Sequence, residues 1–81
     1  MIFEKIRKII AEQLNIGEDA ITINTSFEEL GVDSLDLFQI VIEIEEEFNI
    51  QIEDAEAIKT VRDAVKFAEE SAYPNVEEAY T

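Results

Sequence analysis

Between Ser34 and Phe48 apolar residues return every third or fourth position, and they do so on two sides of one helix. At about 100° per residue, Leu37, Ile40, Val41, Ile44 and Phe48 fall within one arc of about 100°. That arc is a core stripe. Leu35, Phe38 and Ile42 fall outside it, in a second arc of about 60°. Asp36, Gln39, Glu43 and Glu46 lie along one edge of the second arc, and Glu45 near the other. Such a segment has two possible destinations. Either a neighbouring helix covers the second arc, or the arc is an exposed apolar patch with an acidic border. The second arrangement suits docking, because charge steers the encounter and a few apolar contacts supply grip. The exposure of Leu35 and Ile42 separates the two.

The flanking segments are helical as well. Phe3, Ile6, Ile10 and Leu14 recur at steps of three and four, and Ile2 and Ile9 widen their stripe. Asn15-Ile16-Gly17 supplies the stop, with Gly17 expected to take the left-handed turn. Residues 18–33 form a long connection in which Ile21 and Ile23 alternate with polar residues. No second strand is available to pair with them, so they read as loop anchors plugged into the core. Ser26-Phe27-Glu28-Glu29 fits a capping box and predicts one helical turn near Phe27 to Leu30, ended by Gly31. A short third helix is expected from Asp54 to Ile58. A fourth follows Thr60, where Thr60-Val61-Arg62-Asp63 resembles a second capping box and Val61, Ala64, Val65 and Ala68 form the inner stripe. The predicted fold is all-α: a small four-helix bundle, three long helices plus one short, with a long loop between helices one and two. The domain is expected to span residues 1–70, and residues 71–81, broken by Pro74, to form a flexible C-terminal tail.

At 81 residues the chain buries one modest core and builds no deep, multi-walled active site. With 47% apolar residues it folds instead of remaining an acidic disordered polymer. No apolar run approaches membrane-spanning length, and the start lacks the layout of a signal peptide, so a cytoplasmic location is the expectation. The absence of cysteine excludes disulfides, zinc-thiolate sites and thiol catalysis together. The formal net charge is −14, and the six basic residues sit near the ends: Lys5, Arg7, Lys8, Lys59, Arg62 and Lys66. From Ile9 to Ile58 there are fourteen Asp and Glu and no Lys or Arg. Phosphate would be repelled, so nucleic acid and anionic membrane are poor partners, and a basic protein surface is the natural complement. The plainer reading is that acidity keeps a small protein soluble, but solubility alone does not require such segregation.

Ser34 lies between Asp33 and Asp36 at the start of the amphipathic helix. Either Asp33 or Ser34 sits where an N-cap is expected, and capping alone would explain either residue. A hydrolase nucleophile is a much poorer reading: there is no G-x-S-x-G elbow and no histidine, and the nearby carboxylates make no triad. A calcium loop fails for want of the alternating ligands and central glycine, so no metal ligands are expected. A further reading makes Ser34 an attachment point modified by another enzyme. There a phosphate ester would face backbone N–H groups and the positive end of the helix dipole.

Gly31-Val32-Asp33-Ser34-Leu35-Asp36, followed by an apolar helix ending Glu45-Glu46-Glu47-Phe48, closely resembles the acyl carrier proteins of type II fatty acid synthesis. The likeness extends over roughly Phe3 to Phe67 and takes in "IIAEQL", "SFEELG" and the start at Thr60-Val61. The resemblance implies that Ser34, flanked by Asp33 and Leu35, carries 4′-phosphopantetheine delivered from coenzyme A by a magnesium-dependent transferase. It implies a carrier and not an enzyme, without catalytic residues of its own, whose acyl cargo is a thioester on the prosthetic thiol. The implied partners are a phosphopantetheinyl transferase and fatty acid synthesis enzymes with basic surfaces. They would meet Leu35, Asp36, Gln39, Ile42, Glu43, Glu45 and Glu46, with the carrier itself a monomer. The cargo would be sheltered by Phe27, Ile44, Ile52, Ala57, Ile58 and Val61.

Gln39 stands where many fatty-acid carriers have Glu, Phe38 is bulkier than the usual small aliphatic, and Glu53 replaces a frequent proline. The third helix is also expected to be about two residues shorter than in the common fatty-acid type. These departures keep a second cargo class open, that of specialised carriers for polyketide, peptide, aminoacyl or lipid-A-like biosynthesis. A different class of function, an acidic adaptor without any prosthetic group, would bind its partner equally well with Ala at position 34.

Overall fold

The computed structural model describes residues 2–72, and these form three α-helices joined by turns. Helix α1 spans Ile2–Leu14, α2 spans Ser34–Phe48 and α3 spans Val61–Ala72. Single 3-10 turns occupy Glu18–Ala20 and Ala55–Ala57. The fold is all-α, and the long connection between α1 and α2 is present. Where a short third helix is expected at Asp54 to Ile58, the chain makes only the 3-10 turn. Two tertiary anchors account for the difference. The Ile52 amide donates to Glu45 Oε2 at 2.7 Å, and the Lys59 carbonyl accepts from the Phe27 amide at 3.0 Å. The few residues left between them are too few to offset the cost of nucleating an α-helix. Helix α3 runs on through Ser71 and Ala72, and the rest of the tail expected from residue 71 lies outside the described residues.

Helices α1 and α2 each end on an asparagine. Asn15 has φ 58° and Asn49 φ 55°, in the left-handed region. The next amide in each case reaches back five residues, Ile16 to the Ala11 carbonyl and Ile50 to the Glu45 carbonyl, both at 3.0 Å. That six-to-one bond satisfies carbonyls the helix end would otherwise leave open. The stop after α1 is therefore Asn15, and not Gly17, which is extended at φ −73° and ψ 148°. Asparagine serves because its short polar side chain tolerates the left-handed conformation better than other non-glycine residues.

Ile6, Ile10 and Ala11 of α1 meet Ile40, Val41 and Ile44 of α2 and Val61, Ala64, Val65 and Ala68 of α3 in one buried cluster. Ile21 and Phe27 from the long connection, and Ile52 and Ile58 from the segment before α3, complete it. Ile21 plugs in fully, as an anchor should, while Ile23 packs at the edge half-buried. Both capping boxes close. The Ser26 amide donates to Glu29 Oε1 at 2.8 Å while the Glu29 amide donates to Ser26 Oγ at 3.1 Å. At α3 the Thr60 amide donates to Asp63 Oδ2 at 3.1 Å and the Asp63 amide to Thr60 Oγ1 at 3.2 Å. Asp63 Oδ2 also accepts from the Lys59 amide at 3.0 Å, and this bond is the main reason its carboxyl is held below the usual carboxylate range.

The two boxes stand back to back. Ser26 and Thr60 form an isolated antiparallel bridge, with the Phe27 amide on the Lys59 carbonyl and the Val61 amide on the Thr25 carbonyl at 2.9 Å. Arg62 reinforces the junction by donating to Asn24 Oδ1 at 2.8 Å. This clamp ties the long connection to the start of α3 and sets the chain's entry into α2.

Candidate functional site

The approach to α2 is a tight turn. The Leu30 amide donates to the Phe27 carbonyl at 3.2 Å, Gly31 to Glu28 at 3.0 Å, and Val32 to Phe27 at 3.0 Å. Gly31 sits at φ 73°, a conformation that a residue without a Cβ adopts at the least cost. Buried Phe27 pins the turn to the core, so the start of α2 is placed by the interior of the protein.

Asp33 is the N-cap. Its backbone is extended, its Oδ1 accepts from the Asp36 amide at 2.9 Å, and its carbonyl receives the first helical bond from Leu37 at 2.9 Å. The choice between Asp33 and Ser34 is thereby decided. Ser34 is the first residue inside the helix, exposed, with its hydroxyl relieved of capping duty.

The second arc of α2 is uncovered. Leu35 is 75% exposed, Phe38 48% and Ile42 44%, and these three are the large apolar residues of α2 that face solvent. Gln39, Glu43 and Glu46 are exposed beside them, and Asp36 is half-buried. Glu45 is also half-buried, with one carboxylate oxygen held by the Ile52 amide. The acidic border is therefore in two parts, a solvated row and one carboxylate already engaged in tertiary structure.

One hollow borders α2 and another lies beside the turn that precedes it. An open groove of about 560 Å³ runs between α2 and the 53–56 segment, with Phe38, Val41, Ile42 and Ile52 among its walls. A second hollow of about 400 Å³ lies between the turn before α2 and the segment before α3, walled in part by Phe27, Val32 and Ile58. Of the six residues expected to shelter cargo, Ile52 lines the first hollow and Phe27 and Ile58 the second. Ile44 and Val61 are fully buried and line neither. Ala57 is exposed, because the single 3-10 turn does not carry it round to the core. Apart from Ile52, none of the groove's walls (Phe38, Val41, Ile42, Glu45 and residues 53–56) was among those expected to shelter cargo. For Phe38, Val41 and Ile42 the signal was present in their i, i+3, i+4 spacing, which places the three on one strip of helix.

Among the described residues no cluster of acidic side chains is arranged to hold a metal ion, and no helix is long and apolar enough to cross a membrane. The chemistry on offer is one exposed primary hydroxyl at the head of a helix with a solvent-facing apolar strip and an acidic border.

Residues 4–68 match the family described as "Phosphopantetheine attachment site". The chain is 48% identical over 69 residues to the acyl carrier protein of Streptococcus thermophilus (strain CNRZ 1066), covering 85% of this chain and 93% of that one. It is 47% identical over 68 residues to the acyl carrier protein of Lactococcus lactis subsp. cremoris (strain MG1363), covering 84% and 93%. Against the acyl carrier protein of Streptococcus pyogenes serotype M3 the identity is 45% over 71 residues, covering 88% and 96%. The match spans all three helices and the turn that delivers Ser34, and the chain belongs to the acyl carrier proteins, with their phosphopantetheine attachment site.

Proposed function

We propose that Ser34 is the residue that bears 4′-phosphopantetheine, and that the chain presents acyl groups to the enzymes of fatty acid synthesis. The observation that carries this is the division of labour at the head of α2: Asp33 caps the helix and the Ser34 hydroxyl is left exposed. The residues fit the group. A primary hydroxyl is the acceptor a phosphodiester needs, and a helix start offers amide N–H groups with no internal partner. When bound, the group supplies a thiol on a flexible arm, which holds acyl chains as thioesters and raises their effective concentration at a docked enzyme. Asp33 and Asp36 oppose a phosphate at Ser34, so the transferase must bring the metal ion or basic groups that neutralise it.

Docking falls to the exposed strip of α2. Leu35 and Ile42 supply apolar contact, while Asp36, Gln39, Glu43 and Glu46 face a basic partner. Glu45, tied to Ile52, contributes less freely. The groove between α2 and the 53–56 segment is the shelter for cargo nearest this strip. The protein is then a substrate of enzymes, not an enzyme, working as a monomer in the cytoplasm. The exposed Phe38 ring in the groove wall, Gln39 on the border and the single 3-10 turn favour a second reading, a specialised carrier with a different cargo. The acyl species recovered on the protein from cells separates the two.

The loading test is direct. Incubation with coenzyme A, magnesium and a broad-specificity phosphopantetheinyl transferase should add one phosphopantetheine to the intact mass, and Ser34→Ala should add none. An unchanged mass for the unsubstituted chain, or a loaded Ser34→Ala, overturns the assignment.

A further inference from the structure

The groove between α2 and the 53–56 segment has two unlike sides. Phe38, Val41 and Ile42 of α2 present hydrocarbon to it, and Ile52 adds to that surface. Facing them, Glu53, Asp54 and Glu56 are exposed carboxylates, with Glu45 beside them. None of the groove's walls is basic, and the chain has no Lys or Arg between Ile9 and Ile58. The Ile52 amide, a donor suited to an anion, is already taken by Glu45 Oε2 at 2.7 Å.

These features act on a tethered cargo in opposite directions. Hydrocarbon laid against Phe38, Ile42 and Ile52 leaves water and stabilises the loaded protein. A carboxylate brought to the same place gives up its hydration with no cation to compensate, and it adds a like charge to an acidic rim. Specificity of this kind rests on a repulsive element as much as on an attractive one.

We propose that the groove sorts acyl cargo by charge: an uncharged chain is drawn in along Phe38, Ile42 and Ile52, while a cargo ending in a carboxylate, the monothioester of a dicarboxylic acid, is kept out in solvent by Glu53, Asp54 and Glu56. The first is sheltered. The second stays on the arm, open to a docked enzyme. Phe38 and Ile42 belong both to the groove and to the exposed strip of α2, so both kinds of cargo are offered on one face.

The inference rests on Ser34 bearing the arm, and its test compares two cargoes of equal length. A broad-specificity transferase loads the protein from hexanoyl-coenzyme A or from adipoyl-coenzyme A, whose chains end on a methyl group and on a carboxylate. Relative to the form bearing the free thiol, hexanoyl should raise the melting temperature by about 4 °C or more, the effect of burying one or two methylenes in a domain of this size. Adipoyl should shift it by less than about 1 °C. In the doubly substituted Glu53→Lys, Glu56→Lys protein, altered at two exposed positions, adipoyl should stabilise as much as hexanoyl, because the rim then supplies cations. In the unsubstituted chain the backbone amide resonances of Phe38, Ile42 and Ala55 should move with hexanoyl and stay in place with adipoyl.

Equal stabilisation by the two cargoes in the unsubstituted chain overturns the sorting. So does a lysine variant that still turns adipoyl away, since the carboxylate's own hydration then keeps it out and the rim does not. A hexanoyl form that loads but melts with the free-thiol form overturns this inference and leaves the Proposed function standing. Failure of both thioesters to add mass at Ser34 overturns the Proposed function itself, and the sorting with it.

Discussion

Asp63 carries more of the junction before α3 than its place in a capping box requires. One carboxylate oxygen receives two backbone amides, Lys59 and Thr60, and Lys59 in turn supplies the carbonyl that anchors Phe27. The Lys59 amide lowers its pKa first, opposed by partial burial and helped by the Thr60 bonds and by Lys66. A folded pKa below the unfolded value stabilises the fold above the unfolded value, and that stability is lost as pH falls through the folded one. The contribution should therefore be complete above about pH 4 and fade below it. Urea midpoints measured down to about pH 2.5 should fall less steeply for Asp63→Asn, which cannot titrate, than for the unsubstituted chain. Parallel acid limbs would show that Asp63 does not contribute. Thr60→Ala, which removes the other half of the box, should cost about 1 kcal/mol in the same assay. Both residues were legible in the sequence as a box. The Lys59 amide was not, because that bond depends on how the preceding segment turns.

At the scale of the elements, the two glycines give opposite expectations. Gly31 is left-handed at φ 73°, and an added Cβ would meet nothing within 4 Å, so the cost of Gly31→Ala is that of the backbone alone. It should destabilise the fold by about 1 kcal/mol and slow loading, since this turn delivers α2. Gly17 is extended and equally uncrowded. Gly17→Ala should be neutral or stabilise by about 0.5 kcal/mol, by restricting the unfolded chain. Thermal melts of the pair check both signs. From sequence the turn role fell to both glycines, because glycine permits the left-handed region without requiring it. Asn15 took that role at the end of α1, so Gly17 had no need of it. The short third helix shows the same limit. Residues 54–58 have adequate helical composition, but the Glu45 to Ile52 bond and the Lys59 to Phe27 bond leave the segment room for a single turn.

For the whole molecule, charge is the dominant feature. The net charge is −14, and the middle of the chain holds acidic residues without any basic ones. Read along α2 alone, Glu43, Glu45, Glu46 and Glu47 have no cation within reach. In the fold, Lys5 of α1 lies 3.7 Å from Glu47, and Arg7 lies 3.4 Å from Glu18. The Lys5 pair is largely exposed and relieves little of the repulsion. The melting temperature should rise as salt is increased from about 10 mM to about 0.15 M, where the screening length falls from roughly 30 Å to 8 Å. Millimolar divalent cation should raise it too, and a melting point indifferent to both would show that self-repulsion is not what limits stability.

What the sequence determined by itself is what short-range geometry controls. Helical period marked α1, α2 and α3, and spacing of three revealed both capping boxes; the candidate serine came from the resemblance of residues 31–48 as a whole to the acyl carrier proteins. Tertiary structure decided what depends on neighbours far along the chain: that Leu35, Phe38 and Ile42 stay uncovered, that Glu45 turns to Ile52, and that Ser26 pairs with Thr60. A helix's period records which residues share a face. Whether another part of the chain arrives to cover that face is set by where the loops are anchored, and those anchors leave no periodic trace.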